Sequence, residues 1–162
     1  MLVALLLSVI VTDYRWTRIP NVITYPAMLI GLVLGAFEAL PGALFSRGLI
    51  DHVAALVLAF ALAYPFWVAR GLKGGDAKLL MAIGALRGTS FFLVSTLYGA
   101  LLGGVFAVGF IAVKRLAPAG AAGTPTMGTL MKAYMPYGVA LALGGLLALG
   151  LEIAGVITLG TM

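Results

Sequence analysis

The chemistry open to this chain is set as much by what it lacks as by what it holds. Its 162 residues include five acids, one histidine (His52) and no cysteine. Thiol catalysis, Cys-ligated zinc and iron–sulfur clusters are therefore excluded. One His among five scattered acids forms no metal-ligand set, so neither metal nor cofactor is expected. What remains is carboxylate chemistry. Asp13 closes an apolar run of 12 residues, and Asp76 follows the pair Gly74-Gly75. Two carboxylates brought together from separate helices repel as anions, so the pair shares a proton. One can then activate water while the other protonates a leaving group. Gly74 and Gly75 let the backbone bend, or approach a substrate, beside Asp76. The plainer alternative for each acid is a helix cap or an ion pair with a nearby Arg or Lys.

The elements that must position these acids are helices in a membrane. The chain is 63% hydrophobic and 9% charged, with a mean hydropathy of +1.17. Soluble domains are about 45–50% apolar and about 25% charged. A soluble enzyme, a disordered chain and a DNA-binding domain are thus excluded. Apolar runs near 2–17, 21–40, 50–69, 77–88, 90–113 and 135–159 predict an all-α, polytopic integral membrane protein with about six transmembrane helices. The fourth run is short for a full crossing, and 116–132 reads as a loop rich in Ala, Gly, Pro and Thr. No soluble domain and no repeat is visible, so 1–162 reads as one transmembrane domain. Met1 to Thr12 has no basic residue ahead of it and no small-residue cleavage site after it, which predicts a retained first helix.

Basic residues orient this plan. The net charge of +5 reads as topology here, and no nucleic-acid partner is expected. With the amino terminus outside, Arg15, Arg18, Arg70, Lys73, Lys78, Lys114, Arg115 and Lys132 fall in inner loops, eight of the ten basic residues. Positive-inside bias then places the 14–20, 70–78 and 114–134 loops in the cytoplasm. Asp13 and Asp76 sit at the cytoplasmic ends of two spans, and ionisable groups at membrane depth tend to be functional. Glu38, Asp51 and Glu152 fall at outer ends, where solvation accounts for them. His52 is expected at the outer interface without a role, and Arg15 and Arg18 as topology anchors. Gly31/Gly35, Gly84/Gly88 and Gly99/Gly103 have the spacing of close helix packing.

Asp13-Tyr14-Arg15 with Ile19-Pro20-Asn21, then Gly74-Gly75-Asp76-Ala77-Lys78-Leu79-Leu80, then Pro136-Tyr137-Gly138, together resemble the type IV prepilin peptidase family. Its members are intramembrane aspartyl proteases of the GxGD kind with a six-span plan. The resemblance implies that Asp13 and Asp76 are the catalytic pair. It implies that Gly74, Gly75, Lys78, Asn21 and Pro136 frame the site or contact substrate. The implied partners are prepilin-like precursors with a basic leader, a Gly and a long apolar helix, besides membrane lipid. Cleavage would follow the Gly, at the cytoplasmic face of the cell inner membrane. Position 73 is Lys where a strict GxGD has Gly. The chain resembles the short form of Tad/Flp-pilus and archaeal preflagellin peptidases, without the Cys-x-x-Cys insert associated with N-methylation, so methyltransferase activity is not expected. Oligomeric state is left open.

Two rival functions use the same residues. A small transporter or channel would employ Asp13 and Asp76 as proton or cation sites, near the bilayer midplane and on broken helices. A catalytically silent pilus-assembly factor would employ neither.

Overall fold

Leucine, alanine and valine dominate the apolar runs, and in a medium without water a run of backbone amides is satisfied most simply by a helix. The computed structural model describes residues 1–16, 18–37, 47–116 and 137–157. Among them lie α1 (Leu2–Trp16), α2 (Asn21–Phe37), α3 (Arg47–Val68), α4 (Gly74–Leu116) and α5 (Tyr137–Ile153), with no strand. Two stretches, Gly48–Val68 and Gly74–Gly109, are long and apolar enough to cross a membrane, and α2 and α5 are shorter apolar helices.

The helices turn apolar side chains both inward and outward. On α1 the buried residues are Leu2, Leu5, Leu6, Val9 and Asp13, the three-and-four spacing of a single helix face. Val3, Leu7 and Val11, on the other faces, are exposed. Leu29 and Leu34 on α2, Val57 and Phe60 on α3, and Leu97 and Leu101 on α4 are exposed as well. A surface so apolar is suited to lipid.

Direction along the bundle follows from which residues touch. The end of α1 meets the start of α5, where a Cβ at Gly138 would stand 2.7 Å from Asp13 Oδ2. Further up, a Cβ at Gly145 would stand 3.0 Å from Leu6, so α1 and α5 are antiparallel. In α4, Gly88 is non-helical (φ 75, ψ −176) and divides the element into two arms. The first arm runs with α5 and ends at the Arg87–Glu152 ion pair. The second arm runs against α5: Gly99 packs on Leu141 and Gly103 on Tyr137. The chain therefore reverses at Gly88, and the runs expected at 77–88 and 90–113 are the two arms of one element.

The glycine pairs do what their spacing predicts. A Cβ would stand 2.3 Å from the Ala85 oxygen at Gly31, 2.9 Å from the Ala55 oxygen at Gly84 and 3.0 Å from Leu141 Cα at Gly99. No side chain fits at these crossings. At the end of α3, the Gly71 N–H donates to the Phe66 carbonyl (2.8 Å) and the Arg70 N–H to the Trp67 carbonyl (3.0 Å). This is a Schellman stop with Arg70 in the left-handed region (φ 59), where glycine is the usual occupant. It turns the chain directly into α4.

Candidate active site

Asp13 continues the buried stripe of α1 one turn beyond Val9, so it faces the bundle and not the lipid. It is 1% exposed, and Asp76, in the first turn of α4, is 2% exposed. Both line one cavity of 310 Å³, together with Arg18, Ile19, Lys73 and Gly75. Asp13 is among the charges that act on Asp76. The two acids, far apart in sequence, thus share a site at one end of the bundle.

Each carboxylate is held at the start of a helix. Asp13 Oδ2 accepts the backbone N–H of Val139 in the first turn of α5 (3.2 Å). Asp76 Oδ2 accepts the N–H of Lys73, just before α4 (3.3 Å). This is the reach-back half of a capping box. Helix N-termini carry partial positive charge, and two of them converge on a cavity that must hold negative charge. The capping role set out as the plainer alternative is therefore met by both residues, and it orients the carboxylates without removing them from the cavity.

Close approach depends on glycine at two points. A Cβ at Gly138 would also stand 3.0 Å from Ile19 Cδ1, so only glycine lets the start of α5 reach Asp13. A Cβ at Gly75 would stand 3.2 Å from Ile19 Cβ, which brings the segment before α2 against the start of α4. Gly74 is less constrained, its added Cβ meeting only Trp67 Nε1 at 3.6 Å.

The remaining residues expected to frame the site fall differently. Lys78 donates to Asn21 Oδ1 (2.8 Å) and lies over the Tyr25 ring, 5.0 Å from its centre. These two residues tie α4 to α2, and neither lines the cavity. Pro136 lies outside the described residues. Arg18 and Lys73, expected as cytoplasmic anchors, line the cavity with the acids. Charge patterning could not single them out among eight similar residues. Gly138 stands in a motif that the sequence displays, but its contact with Asp13 depends on how α5 returns to α1.

Three outer-end expectations need correction. His52 is not interfacial: it is 4% exposed and bonded between helices. Asp51 is exposed as expected but has a structural partner, the Thr89 N–H at 3.0 Å. Glu152 is paired with Arg87 and not merely solvated. Glu38 lies outside the described residues. Among the described residues there is no cluster of His, Asp or Glu able to hold a metal.

Apolar helices that close two buried carboxylates into one cavity define a helical membrane protein with an acid-pair site. The chain belongs to the type IV leader peptidase family, whose model matches residues 1–108. That match includes every residue lining the cavity and stops short of α5. Membership implies a protease of the leader-peptidase kind acting on prepilin-like substrates. No curated protein and no solved structure matches the chain.

Gly138→Ala tests the α5 contact. The added methyl group meets the tip of Asp13, which can swing aside, so the fold should persist while the carboxylate leaves its position. A leader-peptidase activity that uses Asp13 is expected to fall by about tenfold or more, since small misplacements of a reacting group have effects of this order. Gly150→Ala in the same helix, where a Cβ meets nothing within 4 Å, should cleave normally. Equal cleavage by both variants would show that Asp13 does not depend on this approach.

Proposed function

We propose that the protein is an intramembrane aspartyl endopeptidase that removes the leader of type IV prepilin-like precursors at the cytoplasmic face of the membrane. The observation that carries this is the pair of buried carboxylates, Asp13 and Asp76, lining one cavity from separate helices. One carboxylate accepts a proton from water as the oxygen attacks the scissile carbonyl. The other, protonated, gives its proton to the departing amide nitrogen as the C–N bond breaks. The products are a carboxyl terminus and a new amino terminus, with no covalent intermediate. The next cycle needs only that the proton pass between the two acids.

The six helical runs, counted as α1, α2, α3, the two arms of α4 and α5, would each cross the bilayer. The cavity end carries Arg15, Arg18, Arg70, Lys73 and Lys78, which supports a cytoplasmic orientation by the positive-inside rule. The opposite end places Arg87 against Glu152. Tyr14, Trp16, Tyr64 and Trp67 are exposed near the cavity end and fit an interfacial belt. The first arm of α4, Gly74 to Arg87, spans about 21 Å at 1.5 Å per residue. That is shorter than the roughly 30 Å hydrocarbon core, which favours an acid pair set below the membrane surface. Both acids lie at one end and not at mid-length, which favours a peptidase over a transporter.

The test is cleavage of a purified prepilin by the wild-type protein in detergent, with and without EDTA. Release of the leader after its Gly, unaffected by EDTA, is the expected outcome. Absence of cleavage, or a requirement for added metal, would overturn the proposal.

A further inference from the structure

His52 takes no part in the acid-pair chemistry, yet three helices meet around it. Its Nδ1 lies 2.7 Å from the Ala85 carbonyl oxygen on α4 and 3.1 Å from the Gly31 carbonyl oxygen on α2. Both partners only accept, so Nδ1 carries a proton and donates it between the two. The neighbouring helix is cut back to admit the ring: a Cβ at Gly35 would stand 2.7 Å from His52 Cγ.

The Ala85 carbonyl has a reason to need this donor. In an unbroken helix it would accept the N–H of Thr89, but non-helical Gly88 lies between them and disrupts that bond. The Thr89 N–H donates instead to Asp51 Oδ2 at 3.0 Å, and the Thr89 hydroxyl donates to the Asp51 carbonyl at 3.3 Å. Asp51 and His52 are consecutive on α3. One supplies an acceptor and the other a donor to the two backbone groups that the reversal of α4 separates.

The same histidine also fixes one helix against another. Gly31 lies ten residues beyond Asn21, where α2 begins beside the cavity, and Ala85 lies nine residues beyond Asp76. At 1.5 Å per residue both points are about 14–15 Å from the cavity end. The Lys78–Asn21 bond ties the same two helices near the cavity, and His52 ties them at the far end. We propose that His52 is a positioning residue: its shared Nδ1 proton sets the axial register of α2 against the first arm of α4, and so holds Asp76 opposite the Arg18–Ile19 wall of the cavity. The register stands on these contacts alone, and only its consequence for cleavage rests on the function proposed above.

The absence of cysteine allows a test that needs no substrate. Ile19→Cys and Gly75→Cys place two Cβ atoms about 3.2 Å apart, close to the spacing of about 3.5–4.5 Å found in disulfides. The rate of oxidative cross-linking then reports the register, and cleavage kinetics are measured separately in chains without cysteine. His52→Leu, similar in size but without a donor, should slow cross-linking by about tenfold and lower kcat by about tenfold at unchanged KM. His52→Asn places an amide donor where Nδ1 stands and should recover both to within about threefold of wild type. His52→Gln carries its donor one carbon further out and should resemble the leucine variant, which keeps the test available if His52→Leu does not accumulate. Wild-type cross-linking by His52→Leu or His52→Gln, or an asparagine variant as impaired as these, would overturn the proposal. Loss of cleavage in all chains, wild type included, with the cross-linking order kept, would overturn the peptidase function and leave the register standing.

Discussion

Asp13→Asn and Asp76→Asn should each abolish leader cleavage while leaving the protein inserted and folded. Both substitutions are near-isosteric. An amide oxygen in place of the Asp13 carboxylate can still accept the Val139 N–H, and one in place of the Asp76 carboxylate the Lys73 N–H, so the bonds that orient these side chains survive. What is lost is the ability to take a proton from water or to return one to the leaving nitrogen. Because the proposed mechanism uses the two acids as one unit, the losses should not add, and the double variant should be no worse than either single one. Asp51→Asn, which keeps an acceptor for Thr89, and Glu152→Gln should cleave normally, since both residues lie at the opposite end of the bundle. The measurement is the processed fraction of a co-expressed prepilin at equal protein level. Substantial cleavage by either single variant would sink the two-aspartate mechanism.

Gly88→Ala should strongly destabilise the fold. At φ 75 and ψ −176, Gly88 occupies a region that is essentially restricted to glycine, and other residues held in such regions lose about 1–3 kcal/mol. The added Cβ would also stand 1.9 Å from Asp51 Oδ2, the group that caps the second arm. The backbone strain and the displaced cap fall on the same turn. The variant is expected to accumulate poorly and to unfold at lower temperature in detergent. Gly104→Ala is the matched control. It lies in the second arm of the same element with nothing within 4 Å of an added Cβ, and it should be neutral or stabilising, because glycine weakens a helix interior by about 0.5–1 kcal/mol relative to alanine. A normal melting temperature for Gly88→Ala would mean that the chain does not turn as described.

Much of the fold was legible because a membrane restricts the choices. Apolar runs separated by charges mark helices almost without ambiguity when the backbone must satisfy itself: α1, α2 and α5 fall within the expected runs, while α3 and α4 extend three residues beyond theirs and α4 joins two of them. Glycines spaced by four announced tight crossings, and each pair meets a neighbouring helix. The short apolar run before Asp13 marked it as a residue at membrane depth, and the structure adds that it sits four residues after Val9 on the inward face of α1. The expectation for His52, by contrast, was wrong for a physical reason. A polar residue near the start of a helix reads as solvated, and nothing local reveals that two carbonyls on other helices require a donor there.

The sequence by itself determined the class of protein, the helical segments and the two carboxylates available for chemistry, because composition and periodicity are local properties that a low-dielectric surrounding enforces. Only the tertiary structure decided that these carboxylates share a cavity, that Arg18 and Lys73 line it with them, and that Lys78 and Asn21 pair with each other outside it. It also decided that the start of α5 closes on Asp13 through Gly138, and that Asp51 and His52 complete the reversal of α4. These contacts join residues far apart in the chain. They depend on the direction and register of whole helices, which are set by how glycine crossings and buried polar groups fit together, and no short stretch of sequence contains that information.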